Sequence, residues 1–465
     1  MSDRKPKIGI LGIMQDLYDE MIPGIAARQA GYARELADHL ADVAEFIPSE
    51  PIKYREDAEL AMRTFENAGL DGVMVVMLTY GPAMRVARLL SESRLPILMA
   101  NIQPEPAVTP QWDMADMTYN QGVHGAQDTA NAMVRAGRSF AVLTDDWRSE
   151  GFRECVGRFA RAAAAVTVWK SLRVALFGYA MNDMGDIRVD ESALIRSLGP
   201  EILAVAQGDL YRGMLKVTEG EIGEVIAFED ERFEIDPALS GEERADHARM
   251  QVAIKRILDR GGYAAYTAHF DAIGEDGRFA RLPLAAASTL MAQGYGYAAE
   301  GDVLTACMVS AGHTLIGDAH FTEMYAMDFP SDSILMSHMG EGNWKVARSD
   351  RPVRLIKRPL GIGKLADPPT FLFQYQPGPA TLATLVSLGG ERFRMVVAEG
   401  EILDSQELPA LQMPYGQFRP DTGVRACLDG WLAAGGPHHE VLNLGRHAAS
   451  WRLFCQLLGI EYAAV

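Results

Sequence analysis

The stretch Ile8-Gly9-Ile10-Leu11-Gly12-Ile13 is apolar on both of its faces, without the polar residue at every second position that a half-exposed strand carries. Such a strand has to be covered on both sides, which is the situation in a parallel sheet flanked by helices. Comparable runs follow at 43–47, 72–78, 96–102 and 140–144, separated by stretches with helical periodicity such as 26–39 and 57–68. The alternation predicts βαβ units and a Rossmann-like or flavodoxin-like α/β domain over residues 1–172.

A second α/β domain is expected over 173–329. It opens with Val174-Ala175-Leu176-Phe177-Gly178 and continues through 202–205 and a helical segment at 243–259, with 233–243 read as a surface loop. From 330 to 465 the pattern changes to short β segments at 353–356, 370–375, 380–388 and 392–398, punctuated by Gly-Pro and Gly-Gly turns. A helix at 448–458 and a strand at 460–462 complete the chain. The fold class is therefore α/β: two Rossmann/flavodoxin-like domains followed by a β-rich, barrel-like C-terminal domain.

Bulk properties narrow the function. The 465 residues, 48% of them hydrophobic, suffice for several cores. A net charge of -18, with no long basic run, excludes a nucleic-acid partner, because phosphate binding needs a basic surface. No segment reaches the roughly 18 apolar residues of a membrane span, and 162–168 ends at Trp169-Lys170. Met1 to Pro6 has no apolar signal core, so a soluble cytoplasmic protein is expected. The 4 cysteines lack paired spacing and read as free thiols. Gly9-x-x-Gly12 runs into Met14-Gln15-Asp16 without a third glycine, so no dinucleotide is expected.

The chemistry lies in four segments: Glu300 in Gly294-Tyr295-Gly296-Tyr297-Ala298-Ala299-Glu300-Gly301-Asp302, Glu323 in Phe321-Thr322-Glu323-Met324-Tyr325, His338 in Ser337-His338-Met339-Gly340-Glu341, and His439 in Gly435-Gly436-Pro437-His438-His439-Glu440. Spacing alone does not group them. An isolated glutamate in a turn is ordinarily a cap, and a lone histidine in an apolar strand is ordinarily a core residue.

With these segments the chain resembles the L-arabinose isomerase branch of the arabinose/fucose isomerase superfamily, in order from the N-terminus almost to the last residue. The resemblance implies the same three-domain plan, and a divalent ion held by Glu300, Glu323, His338 and His439, with Glu300 and Glu323 also doing acid/base work. Two carboxylates and two imidazoles leave positions open on an octahedral ion for sugar oxygens. Mn²⁺ is the expected metal, with Co²⁺ or Mg²⁺ able to substitute, and the implied chemistry needs no organic cofactor.

By the same resemblance Gln15, Tyr18, Met181, Phe270, Tyr325 and His438 line the sugar pocket. Gln121 and His124 would reach the pocket of a neighbouring subunit, which implies a homo-oligomer, a trimer or hexamer, with shared sites. The implied reaction is aldose–ketose isomerisation, L-arabinose to L-ribulose first, with D-galactose, L-fucose or another sugar behind it. A sugar epimerase and a non-catalytic sugar-binding protein on the same scaffold are the alternatives. The chain departs from the family pattern at Val303, Met324, Asp271-Ala272 and Glu440-Val441. His39, His247 and His447 read as surface residues, and His313 and His320 carry no motif.

Overall fold

The computed structural model describes residues 4–465, so Met1 to Asp3 of the polar start lie outside the described residues. The described chain forms two compact units. The first runs to Thr167 and takes in 452–459; the second comprises Val168–Trp451 and Ile460–Val465.

The first unit is built on β1 (Lys7–Ile13), β2 (Glu45–Pro48), β3 (Gly72–Met77), β4 (Ile97–Asn101) and β5 (Ala141–Thr144), all parallel, in the order β2-β1-β3-β4-β5. This is the flavodoxin-like order. Strand β3 is buried along its whole length, as its uninterrupted apolar run requires. The helices Ile25–His39 and Arg55–Asn67 supply covering faces, with Leu36 and Phe65 fully buried.

The second unit contains β6 (Arg173–Phe177), β7 (Glu201–Val205), β8 (Glu234–Ile235), β9 (Ala265–Ala268) and β10 (Gly296–Ala299). β10, β9, β6 and β7 form a parallel sheet in that order. Beyond it come β11 (Ala319–Asp328), β12 (Ser333–Ser337), β13 (Arg354–Lys357), β14 (Pro369–Leu372), β15 (Gly378–Ser387), β16 (Phe393–Ile402), β17 (Tyr415–Pro420), β18 (His439–Leu444) and β19 (Glu461–Ala464). Strands β15-β18-β11-β12-β17-β16 close through the β15–β16 ladder into an antiparallel barrel, and β19 adds to β16 in parallel. Closure removes the open edges that a sheet of this kind would otherwise expose. Met336, Leu382, Val396, Phe418, Trp431 and Leu442 belong to its core cluster.

Helix Val303–Leu315 packs against the parallel sheet through β9 and β10, and against the barrel through β11, β15 and β18. It is apolar around its whole circumference and buried along nearly all of it, as a helix with two covered sides must be. Gly296 permits the contact: a Cβ there would lie 2.1 Å from the Ala306 carbonyl oxygen.

Two expectations need correction. Residues 233–243 are not a plain surface loop, since Glu234–Ile235 pairs in parallel with β13 and joins it and β14 in a small sheet. His247 is not a surface residue; it is buried, with its Nε2 2.8 Å from Oε1 of the equally buried Glu229. The exposed-looking polarity of helix Gly241–Gly261 conceals that internal pair. All 4 cysteines are free, and no described helix is long and apolar enough to cross a membrane.

At the end of the buried helix, His313 Nδ1 accepts the Ala319 backbone N–H at 3.3 Å, and burial pushes the ring's pKa down to about 4. The unfolded chain therefore binds a proton that the folded one refuses between about pH 6.5 and 4, and stability falls as pH drops through that window. Between pH 7 and 5, wild type should lose about 2 kcal/mol more than His313→Gln. Urea unfolding of both at the two pH values measures the difference.

Candidate active site and metal centre

The barrel register assembles three of the four residues. Glu323 on β11 lies directly opposite Ser337 on β12 and His439 on β18, and His338 follows Ser337 at once. Directly opposed residues on neighbouring strands bring their side chains within contact range. Glu323 Oε1 is 3.1 Å from His439 Nε2 and 3.7 Å from His338 Nε2.

The parallel sheet supplies Glu300, at the carboxyl end of β10, where open α/β sheets collect ligands. Its backbone is in the left-handed region at φ 63°, and Gly301 follows at φ 82°. The turn is held by bonds from Glu300 N–H to the Ala268 carbonyl (3.2 Å), from Gly301 N–H to Thr267 Oγ1 (3.0 Å) and from Met181 N–H to the Glu300 carbonyl (2.8 Å). A Cβ on Gly301 would meet Ala180 Cα at 2.4 Å. A left-handed non-glycine residue so constrained is a local cost sustained by its surroundings. The result is Glu300 Oε2 3.6 Å from His439 Nε2.

Both buried imidazoles are oriented from behind. His439 Nδ1 is 2.9 Å from Asp302 Oδ2, and His338 Nδ1 is 2.7 Å from Glu341 Oε2. Glu341 also accepts the Tyr297 hydroxyl at 2.8 Å. Carboxylates on Nδ1 fix the ring and leave Nε2 to face the cluster, the arrangement that raises the basicity of metal-binding histidines.

Burial opposes charge on His439, Glu323 and Glu341, yet the opposite charges prevail. The Asp302 and Glu323 carboxylates lift the fully buried His439 to about 10 against desolvation. Glu341 and Glu323 are held below the usual carboxylate range, against burial, by the histidines beside them.

The donor set fits a divalent cation. Glu300 Oε2, His338 Nε2 and His439 Nε2 are buried and have no hydrogen-bond partner, a costly state for polar atoms unless something else engages them. Glu323, His338 and His439 offer ligand atoms within 4.8 Å of one another, and so do Glu300, His438 and His439. A cleft beside Glu300 and His338 is walled by Phe270, Ile273, Leu282, Leu284 and Leu360.

Three family models cover almost the whole chain: the L-arabinose isomerase N-terminal domain at residues 11–171, its central domain at 173–317 and its C-terminal domain at 318–461. The chain belongs to the L-arabinose isomerase family. The L-arabinose isomerase of Klebsiella pneumoniae (strain 342) is 30% identical over 411 residues, 85% of this chain and 80% of the relative. Those of Erwinia tasmaniensis and Yersinia pseudotuberculosis serotype O:1b are 31% and 29% identical, with the same 85% and 80% coverage. Among solved structures, a periplasmic solute-binding protein of an ABC transporter from Actinobacillus succinogenes 130z with bound D-allose covers 59% of this chain and 83% of its own, at 12% identity; with a TM-score of 0.18 that likeness carries no argument.

The family's implied metal ligands thus converge in this chain. Phe270 lines the adjoining cleft, and Met181 is tied to the Glu300 backbone. Tyr325 sits where the β11–β12 register shifts and is 39% exposed, so the irregularity turns it out of the strand's alternation. His438 is also near: its Nε2 is 3.5 Å from Glu300 Oε2 and 3.6 Å from Glu323 Oε1. It differs from His439 in being partly open to solvent. Gln15, Tyr18, Gln121 and His124 belong to the first unit. There Gln15 N–H donates to Thr79 Oγ1 at 3.2 Å, Tyr18 N–H to the Gln15 carbonyl at 3.4 Å, Gln121 precedes helix Gly122–Arg135, and His124 stacks on Tyr80 with ring centres 4.7 Å apart.

His320 is fully buried; its Nδ1 accepts the Asn343 N–H at 2.9 Å, and burial holds it neutral with a pKa of about 3. Asp302 and Glu341 stand inside the quoted motifs, but as orienting groups they escaped the sequence reading. The one available signal was a carboxylate three positions after His338.

Glu300→Gly and Glu300→Ala both remove the carboxylate, but only glycine is at ease at φ 63°. The glycine variant should be the more stable of the two by about 1 kcal/mol, and both should bind divalent metal at least about 10-fold more weakly than wild type. Denaturant midpoints of the metal-free proteins, with metal titration, test both statements.

Proposed function

We propose that the protein is a divalent-metal-dependent aldose–ketose isomerase with L-arabinose as its first substrate, L-ribulose being the product. The observation that carries this is the convergence of Glu300, Glu323, His338 and His439, with three of their buried polar atoms unpartnered, in a chain of the L-arabinose isomerase family. Glu300, Glu323, His338 and His439 would hold the ion, with Mn²⁺ the first choice and Co²⁺ or Mg²⁺ as substitutes. When bound, the ion supplies polarisation of the oxygens on C1 and C2, making the C2 hydrogen acidic.

The protein's own groups do the proton transfers. One of Glu300 and Glu323 takes the C2 hydrogen as a proton, the electron pair left behind closes a C1=C2 double bond, and O1 gains a proton from the other glutamate. The cis-enediol then gives up its O2 proton and receives one at C1, yielding the ketose and restoring both carboxyl groups. His439, held by Asp302, and His338, held by Glu341, keep their Nε2 atoms on the centre throughout. The apolar wall of Phe270, Ile273 and Leu282 keeps water from the carbon pair. His438, Met181 and Tyr325 complete the sugar pocket, Gln15 and Tyr18 are the further sugar contacts that the family resemblance implies, and Gln121 and His124 serve a neighbouring subunit of a cytoplasmic trimer or hexamer.

Metal-stripped protein resupplied with Mn²⁺ and given a panel of aldopentoses and aldohexoses should form ketose only when the metal is present, fastest from L-arabinose. Glu323→Gln should lower kcat by about 10²- to 10⁴-fold. Stoichiometric metal with no ketose from any sugar would sink the isomerase reading in favour of an epimerase or a sugar-binding protein.

A further inference from the structure

His438 carries the same device as the two buried histidines, supplied from elsewhere in the chain. Its Nδ1 is 2.7 Å from Asp186 Oδ2, and the same oxygen accepts the His438 backbone N–H at 3.1 Å. An ionised carboxylate can only accept, so Nδ1 carries a proton. Nε2, the other ring nitrogen, is thereby turned towards Glu300 and Glu323, at 3.5 and 3.6 Å.

Asp186 lies on the loop between β6 and helix Glu191–Ser197, and that loop is stitched in place. Arg188 donates to the carbonyls of Met181 (3.0 Å) and Met184 (3.4 Å), and Met181 N–H donates to the Glu300 carbonyl (2.8 Å). The residue that aims His438 is therefore indexed to the backbone of Glu300. What separates His438 from His338 and His439 is access: its side chain is 36% exposed, against 3% and 0%. Of the three imidazoles, His438 is thus the one a polyhydroxylated ligand can reach from solvent.

We infer that Asp186 is a positioning residue: it accepts the Nδ1–H of His438 and so holds Nε2 turned into the site, where Nε2 hydrogen-bonds a hydroxyl of the sugar. This rests on the isomerase reading for the identity of the ligand, and Asp186 acts only through His438. Asp186→Ala should keep its full metal content, raise KM for the aldose about 10-fold and lower kcat less. Asp186→Asn, whose amide oxygen can accept both hydrogen bonds, should stay within about 3-fold of wild type. The double variant Asp186→Ala/His438→Ala should be no worse than His438→Ala alone, because a residue acting through another has nothing left to lose.

Unchanged kinetics in Asp186→Ala, loss of metal from it, or a further 10-fold drop in the double variant would each overturn the inference. The crystal structure of metal-loaded Asp186→Ala decides the positional claim without turnover: the His438 ring should leave its direction while Glu300, Glu323, His338 and His439 stay, and an unmoved ring refutes it. Absence of turnover in wild type would instead count against the isomerase reading.

Discussion

One buried carboxylate ties the second unit together. Asp302 Oδ1 accepts the Thr305 N–H at 3.0 Å and so caps helix Val303–Leu315, while Oδ2 receives His439 Nδ1 at 2.9 Å. The cap satisfies one of the donors that the first turn of a helix leaves unpaired, an interaction worth about 1 kcal/mol. The second contact reaches across to β18 of the barrel. The same side chain thus fixes where the helix starts and where the imidazole points, and the turn it terminates is the one that carries Glu300.

Around that carboxylate the site is made from two kinds of sheet. A parallel sheet ends its strands together, so Met181, Phe270 and Glu300 emerge at one edge, after β6, β9 and β10. An antiparallel barrel sets residues side by side instead, so Glu323 and His439 are neighbours although far apart along the chain. Neither arrangement alone provides both carboxylates and both imidazoles. Their combination does, and the orienting Asp302 and Glu341 make each imidazole offer the correct nitrogen.

Much of this was legible in the sequence, for reasons that differ by element. The strands of the first sheet are apolar on both faces, and that pattern is hard to mistake once repeated between helical stretches. Strands β11 and β18 were not recognised, because residues such as His320 and Thr322, or His439, Glu440 and Asn443, place polar groups at buried positions, and with the half-buried Glu323 they break the apolar run. Those interruptions are the site itself and its supports. The ligands were found through motif resemblance and not through spacing. The orienting carboxylates remained hidden because the His439–Asp302 and His438–Asp186 contacts join residues 137 and 252 positions apart. His247 reads as a surface residue for a similar reason: Glu229, which makes its burial tolerable, sits on a different helix.

The central and C-terminal family models meet between residues 317 and 318, immediately after the buried helix. That seam is a division of sequence and not of matter. Helix Val303–Leu315 belongs to the central segment, yet one of its sides is roofed by barrel strands. A fragment ending at 317 would leave the barrel-facing side of that apolar helix uncovered, and a free-standing barrel would lack the element against which three of its strands rest. The two segments therefore cannot be shuffled between relatives as independent modules. Recombination at that junction has to preserve the helix surface on one side and the strand faces on the other, so these portions of the gene are constrained to change together.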